Sequence, residues 1–244
     1  MPSNKKLLQA AAGSAGGDKL YVEDVFSTFL YTGTGQARAI DNGIALSDEG
    51  GLVWLKSRSN ADSHYLFDTV NGPEKTLSSD NTAAGSDYSD YWDFPSAGTE
   101  GFKLLDAPAN YSGWTLASWT FRKAEKFFDV VTYTGNGVAG REIAHNLGAT
   151  PAVMIVKKTS GSYNWQIYHS SIGATKFLEF TTGAAQTSSA VWNDTAPTDA
   201  VFTVGNEYGV NQSGDTYVAY LFASDAGGYG DDGSENIIKC GSYT

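Results

Sequence analysis

The chain reads as an all-β protein: two tandem antiparallel β-sandwich repeats of jelly-roll-like type, each of about 100 residues, preceded by an extended N-terminal arm. Three observations predict this. The first is an internal duplication, in which residues 26–127 return as residues 128–229. Tyr31-Thr32-Gly33-Thr34-Gly35 recurs as Tyr133-Thr134-Gly135-Asn136-Gly137, and Leu52–Ser59 recurs as Val153–Ser160, keeping the lysine and the final serine. Trp92 and Phe102 recur as Trp192 and Phe202, and Asn110–Gly113 as Asn211–Gly214. The offset drifts only between 100 and 102, so insertions are confined to turns between fixed elements. The second observation is composition: 28 glycines and 14 tyrosines, with many Thr, Val and Ser, favour strands and turns. The third is that no stretch sustains a helical period, while short apolar runs alternate with turn signals.

Taken in order, residues 1–20 have no repeat partner. Leu7–Ala12 could form a turn or two of helix, too short to stand alone in water. The segment reads as an attachment arm that orders on a partner, with Lys5, Lys6, Leu7 and Leu8 as its candidate contacts. Residues 21–127 form the first repeat and 128–236 the second. Leu116–Phe121 and Tyr217–Phe222 are the clearest strands. Their shared apolar sets, Ala117/Trp119/Phe121 and Val218/Tyr220/Phe222, are assigned to the core by period-two alternation. The opposite face is expected to meet solvent in the first repeat and a neighbour in the second. Asn110–Gly113 and Asn211–Gly214 are hairpin-like turns whose glycine takes a positive φ. Asn146–Pro151 breaks the chain before Ala152–Val156, a buried central strand. Trp92 and Trp192, being repeated, are core anchors. A single sandwich merged from both copies is the alternative architecture.

Residues 237–244 resemble the start of a third repeat, since Ile237–Thr244 aligns with Phe127–Thr134. Either a further unit follows, or each opening strand completes the sheet of the unit before it. The second reading is preferred because it leaves no orphan edge.

Bulk properties narrow the function classes. Hydrophobic content of 41% with 18% charged residues fits a folded chain. Sixteen basic against 27 acidic residues give a net charge of −11, which repels phosphate backbones and anionic lipid. Neither nucleic-acid binding nor membrane insertion is expected, and no run approaches the ~20 apolar residues of a span. Lys5-Lys6-Leu7-Leu8-Gln9 is followed by Ala, Gly and Ser rather than an apolar core, so no signal peptide is read there. Cys240 is the only cysteine, which rules out an intrachain disulfide and reads as a small apolar residue of the last strand.

KKLLQAAAG, VFSTFLYTG, WTFRKAEKFFDVVTYTGNG and SGDTYVAYLFASD together resemble a family of repeated β-modules, lectin- or laminin-G-like jelly rolls, found in virion structural proteins of tailed bacteriophages, notably marine ones. The resemblance spans residues 5–244, and the long stretch from Trp119 is its most specific part. It implies a virion component, a tail fibre, appendage or capsid decoration, assembled in the host cytoplasm. It further implies attachment to other virion proteins through the arm and assembly as a homo-oligomer. It supplies no catalytic residues.

A search of the residues for chemistry agrees. His64, His145 and His169 form no metal-spaced pair and are not repeated. Asp87, Asp90 and Asp93 crowd one loop without the strand-face spacing of paired glycosidase carboxylates. There is no nucleophile elbow or phosphate loop. The expectation is a non-enzymatic protein without a cofactor, calcium being the one ion with candidate ligands, Asp231, Asp232 and Glu235. An acidic, solvated inter-strand turn is the preferred account of those three. Tyr88, Tyr91 and Tyr111, unit-specific and near loops, could stack on sugar rings. They support the alternative reading, a carbohydrate-binding receptor adhesin of the phage tail contacting host surface glycan.

Overall fold

The computed structural model describes residues 19–94, 99–105 and 108–242; Lys5, Lys6, Leu7, Leu8 and the rest of the expected arm contact lie outside them, apart from Lys19 and Leu20. Each repeat is a β-sandwich. In the first, a large sheet runs β1 (Phe26–Thr32), β8 (Thr115–Arg122), β3 (Gly51–Ser57), β4 (His64–Asp68), β5 (Leu77–Ser78). A small sheet of β2 (Arg38–Ile40), β7 (Phe102–Leu104) and β6 (Trp92–Asp93) covers one of its faces. The second repeats the order: β9 (Phe128–Thr134), β16 (Thr216–Phe222), β11 (Val153–Lys158), β12 (Gln166–His169), β13 (Lys176–Glu179). It adds an edge strand, β14 (Thr182–Thr187), and its small sheet is β10 (Arg141–Ala144) with β15 (Val201–Val204). All named pairings are antiparallel. Among the described residues four short α-helices punctuate the strands: α1 (Val22–Val25), α2 (Leu46–Glu49), α3 (Ser189–Trp192) and α4 (Tyr208–Asn211).

The apolar residues gather into three cores rather than two. Tyr31, Ile40, Val53, Leu55, Phe67, Trp92, Phe102 and Leu104 fill the first sandwich. Tyr133, Ile143, Met154, Val156, Trp192, Phe202, Tyr217 and Leu221 fill the second. Trp92 and Trp192 are both fully buried, as their recurrence suggests. The third core lies between the repeats. Leu52, Leu66 and Leu77 from the first large sheet meet Phe128, Val130, Val218, Tyr220 and Phe222 from the second. The two large sheets therefore stand back to back, and each is apolar on both faces.

This arrangement corrects the expected facing of the closing strands. Phe121 and Val218/Tyr220/Phe222 do not look into their own sandwiches; they pack in the core between the repeats, with Phe121 and Phe222 rings 5.5 Å apart, and Ala117 and Trp119 share the Phe121 face of their strand. The face expected to be wet carries Ser118 and Thr120, both fully buried inside the first sandwich. Thr120 Oγ1 accepts from Asn42 Nδ2 at 2.7 Å, which removes the penalty of burying it. The reason is that a small hydrogen-bonded hydroxyl packs in a core, whereas the broad apolar set shared by both copies suits a mutual contact.

A second correction concerns the opening strands. β1 pairs with β8 and β9 with β16, so each opening strand completes its own repeat and not the preceding one. Residues 237–242 contain no strand. Ile237, Ile238 and Cys240 instead pack on the inter-repeat core, tied by Cys240 N–H to Ser224 Oγ at 2.9 Å. The turn at Asn110–Gly113 likewise is no hairpin, because it crosses from the small sheet to the large one. Its glycine and that of the second copy do have positive φ, 82° for Gly113 and 84° for Gly214.

Candidate functional site: clamps, loop aromatics and the repeat junction

The motifs kept in both copies build one device twice. Asn110 Nδ2 donates to Gln36 O at 2.7 Å and its Oδ1 accepts from Thr34 N–H at 3.1 Å. Asn211 does the same with Val138 O at 2.9 Å and Asn136 N–H at 3.0 Å, and each amide also reaches a third group, Leu105 O at 3.4 Å from Asn110 and Gly205 O at 2.8 Å from Asn211. Tyr31 Oη donates to Ala109 O and Tyr133 Oη to Val210 O. Arg38 and Arg141 lie over those tyrosine rings and bond the carbonyls of Thr32 and Thr134. Gly33 and Gly135 complete the clamp, pressed against the backbone of residues 110–111 and 211–212. Ser59 and Ser160, the kept serines, accept the backbone N–H groups of Thr115 and Thr216 at 3.1 Å. Buried tyrosines with fixed partners hold their protons; burial pushes the Tyr31 and Tyr133 phenols well above the ordinary range.

Polar contacts also cross between repeats. Trp165 Nε1 reaches Ser78 O at 3.1 Å and Asn81 O at 3.2 Å. Tyr220 Oη donates to Asp68 Oδ2 at 2.9 Å, a buried carboxylate that also takes the amides of Val70 and Asn71. Lys157, the kept lysine, is fully buried; its Nζ donates to Thr82 O at 3.2 Å and Lys158 O at 2.8 Å. Burial, aided by the Lys158 charge, lowers its pKa from 10.5 to about 8. Between these values the unfolded chain binds a proton that the folded chain does not, so this group makes stability rise with pH across that window. Urea unfolding of the wild type and Lys157→Met from pH 7.5 to 9.5 should show the difference in their stabilities growing in favour of the wild type as pH rises. Subtracting the two curves cancels the other titrations. A pH-independent difference would show that Lys157 does not carry this effect.

The expected sugar-stacking tyrosines separate into two environments. Tyr88 stacks on buried Trp92 at 5.1 Å with planes 4° apart, and Tyr91 packs 5.2 Å from Tyr88. Both are partly buried extensions of the first core. Tyr111 stands apart from this pair in an exposed setting, 50% accessible with its ring edge-on to Trp114 at 4.9 Å. The calcium candidates do not converge. Asp231 accepts from Tyr21 Oη at 2.6 Å, and Asp232 accepts the amide and hydroxyl of Ser234. Those Ser234 bonds hold the Asp232 carboxyl below its usual range. Among the described residues no group of three His, Cys, Asp or Glu side chains is placed to hold a metal ion. Asp87 is likewise taken by Ser89, and Asp93 faces Lys103 at 3.8 Å. No helix among the described residues is long and apolar enough to cross a membrane.

One site escaped the sequence reading. Where the chain enters the first repeat, leaves it and leaves the second, those three segments and the short helix ending at Glu49 converge on a cavity of about 350 Å³. Leu20, Arg122, Lys126, Gly228 and Tyr229 are among its walls. Gly230 N–H bonds Leu20 O, Tyr229 Oη bonds Glu125 O, and Lys126 takes a left-handed backbone (φ 63°) with its amide on Leu147 O. A signal was available: Arg122–Phe127 aligns with Ala223–Gly228, so this basic stretch is the part of a repeated region that is not repeated.

The architecture defines a class: paired antiparallel sandwiches fused through their large sheets, with the repeated side chains spent on holding the scaffold. A family model described as a Domain of unknown function (DUF7483) matches residues 22–236, and the chain belongs to that family. Comparison with curated proteins and with solved structures finds no match. The family's match covers both repeats in one span, so the pair, not the single sandwich, is what it describes.

Proposed function

We propose that this chain is a non-enzymatic structural protein of a bacteriophage virion, a tail fibre, appendage or capsid decoration. In this reading residues 1–20 attach it to other virion proteins, and the sandwich pair projects outward and assembles with further copies. The observation that carries the proposal is the use of the duplicated residues. Tyr31/Tyr133, Gly33/Gly135, Asn110/Asn211 and Ser59/Ser160 each bond the backbone of their own repeat, the behaviour of a building module. The resemblance of VFSTFLYTG and WTFRKAEKFFDVVTYTGNG to virion modules supplies the setting. Mass spectrometry of gradient-purified particles from a phage encoding the chain should detect it, and deletion of residues 1–20 should remove it from the particle. Its absence from purified particles would overturn the assignment to the virion; normal incorporation of the deletion would overturn the role of the arm.

Tyr111 favours a second reading, a receptor adhesin of the phage tail, because a half-exposed ring braced by Trp114 offers a flat face to a sugar. A glycan array should then show saturable binding that Tyr111→Ala reduces about tenfold, the loss of one aromatic contact face. Binding unaffected by Tyr111→Ala, or no binding at all, removes this reading.

A further inference from the structure

We infer that the junction cavity is a binding site for a small oxyanion, a carboxylate or phosphate group, held by Arg122 and Lys126. Arg122 Nε is buried and has no hydrogen-bond partner. Arg38 Nε in the first clamp is likewise without a partner, so what distinguishes Arg122 is its place in the cavity wall, where a guanidinium presents its donors as a fork suited to two oxygens of one anion. No carboxylate stands within ion-pair distance of Arg122 or Lys126 among the described residues, whereas neighbouring Lys123 is already paired with Asp129 at 3.1 Å.

The scaffold does not require these charges. The second repeat builds the same strand exit with Ala223 in place of Arg122 and Gly227 in place of Lys126. Lys126 nonetheless adopts a left-handed backbone, a conformation that glycine or asparagine takes more readily, and lays its stem along Gly228. A charged residue at such a position points to use of its ammonium group. Glu49 and Glu125, both exposed, also line the cavity and bring its charge close to balance. That balance favours a single compact anion seated against the half-buried guanidinium over an extended polyanion.

The test is thermal unfolding of the full chain in sodium phosphate and, separately, sodium acetate, with sodium chloride holding ionic strength constant. Saturable stabilisation is expected with at least one anion, about 5 °C at a hundredfold excess over Kd. Phosphate alone, or acetate alone, identifies the group preferred. Arg122→Gln and Lys126→Asn should each remove the response; asparagine suits the left-handed backbone, so the second variant tests the site with the fold intact. In the wild type, titration should move the Arg122 Nε–H resonance in 15N-correlated spectra. No saturable response to either anion, or an undiminished response in folded Lys126→Asn together with an unmoved Arg122 resonance, would overturn the inference.

Discussion

Trp165→Ala should cost about 3–5 kcal/mol and change the form of unfolding as well as its midpoint. Trp165 is 1% exposed and belongs to the core between the repeats, not to either sandwich. Its indole N–H bonds two carbonyls of the other repeat, Ser78 O and Asn81 O, and its ring packs on Phe180 at 5.6 Å. Truncation leaves a cavity and strands two acceptors, and both penalties fall on the shared layer. Each sandwich keeps its own core, so calorimetry should resolve two transitions where the wild type shows one. Trp92→Ala is the comparison, since Trp92 lies wholly in the first sandwich and should lower that transition selectively. One cooperative transition with a loss under 1 kcal/mol would mean the repeats are not coupled through this residue.

Gly135→Ala should be nearly as damaging for an unrelated reason. A Cβ there would stand 2.1 Å from Gln212 O and 2.9 Å from Asn211 C, backbone atoms that cannot rotate away. Gly33 meets Tyr111 O at 2.2 Å in the same way. The added methyl must push apart a clamp in which Gly135 N–H bonds Asp215 O at 2.8 Å and Gly135 O accepts from Gly214 at 3.0 Å. Overpacking of this kind costs about 1–3 kcal/mol before the hydrogen bonds are counted. Gly183→Ala is the control, because nothing lies within 4 Å of the added atom and its φ is ordinary. Equilibrium unfolding in urea should show a clear loss for Gly33→Ala and Gly135→Ala and little change for Gly183→Ala. Equal stability of all three would refute the close approach.

Much of this fold can be read before any coordinates. Duplication locates the strands, because repeated spacing survives only where elements are fixed. It also marks Trp92 and Trp192 as buried and Gly113 and Gly214 as left-handed. Facing is harder to read. Period-two alternation says which residues share a side of Leu116–Phe121, but not whether that side meets its own small sheet or another repeat. With both sides buried, polarity no longer distinguishes inside from outside, and Ser118 and Thr120 mislead because their hydroxyls are satisfied within the core. Pairing partners are similarly hidden: nothing in Phe128–Thr134 says whether it joins the sheet before it or the one after. The cavity at Arg122 and Lys126 depends on four chain segments distant in sequence, so composition alone cannot assemble it. Tyr88 and Tyr91 differ from Tyr111 for the same reason, since only a folded loop determines which ring lands on Trp92.

Back-to-back docking carries a numerical consequence for how such chains can lengthen. Each sandwich has one greasy outer wall, and in this pair the two walls cover one another. A third unit of the same kind would find both surfaces occupied and would leave the equivalents of Val218, Tyr220 and Phe222 facing water. Growth by this principle therefore proceeds in twos, with doublets as the elementary brick.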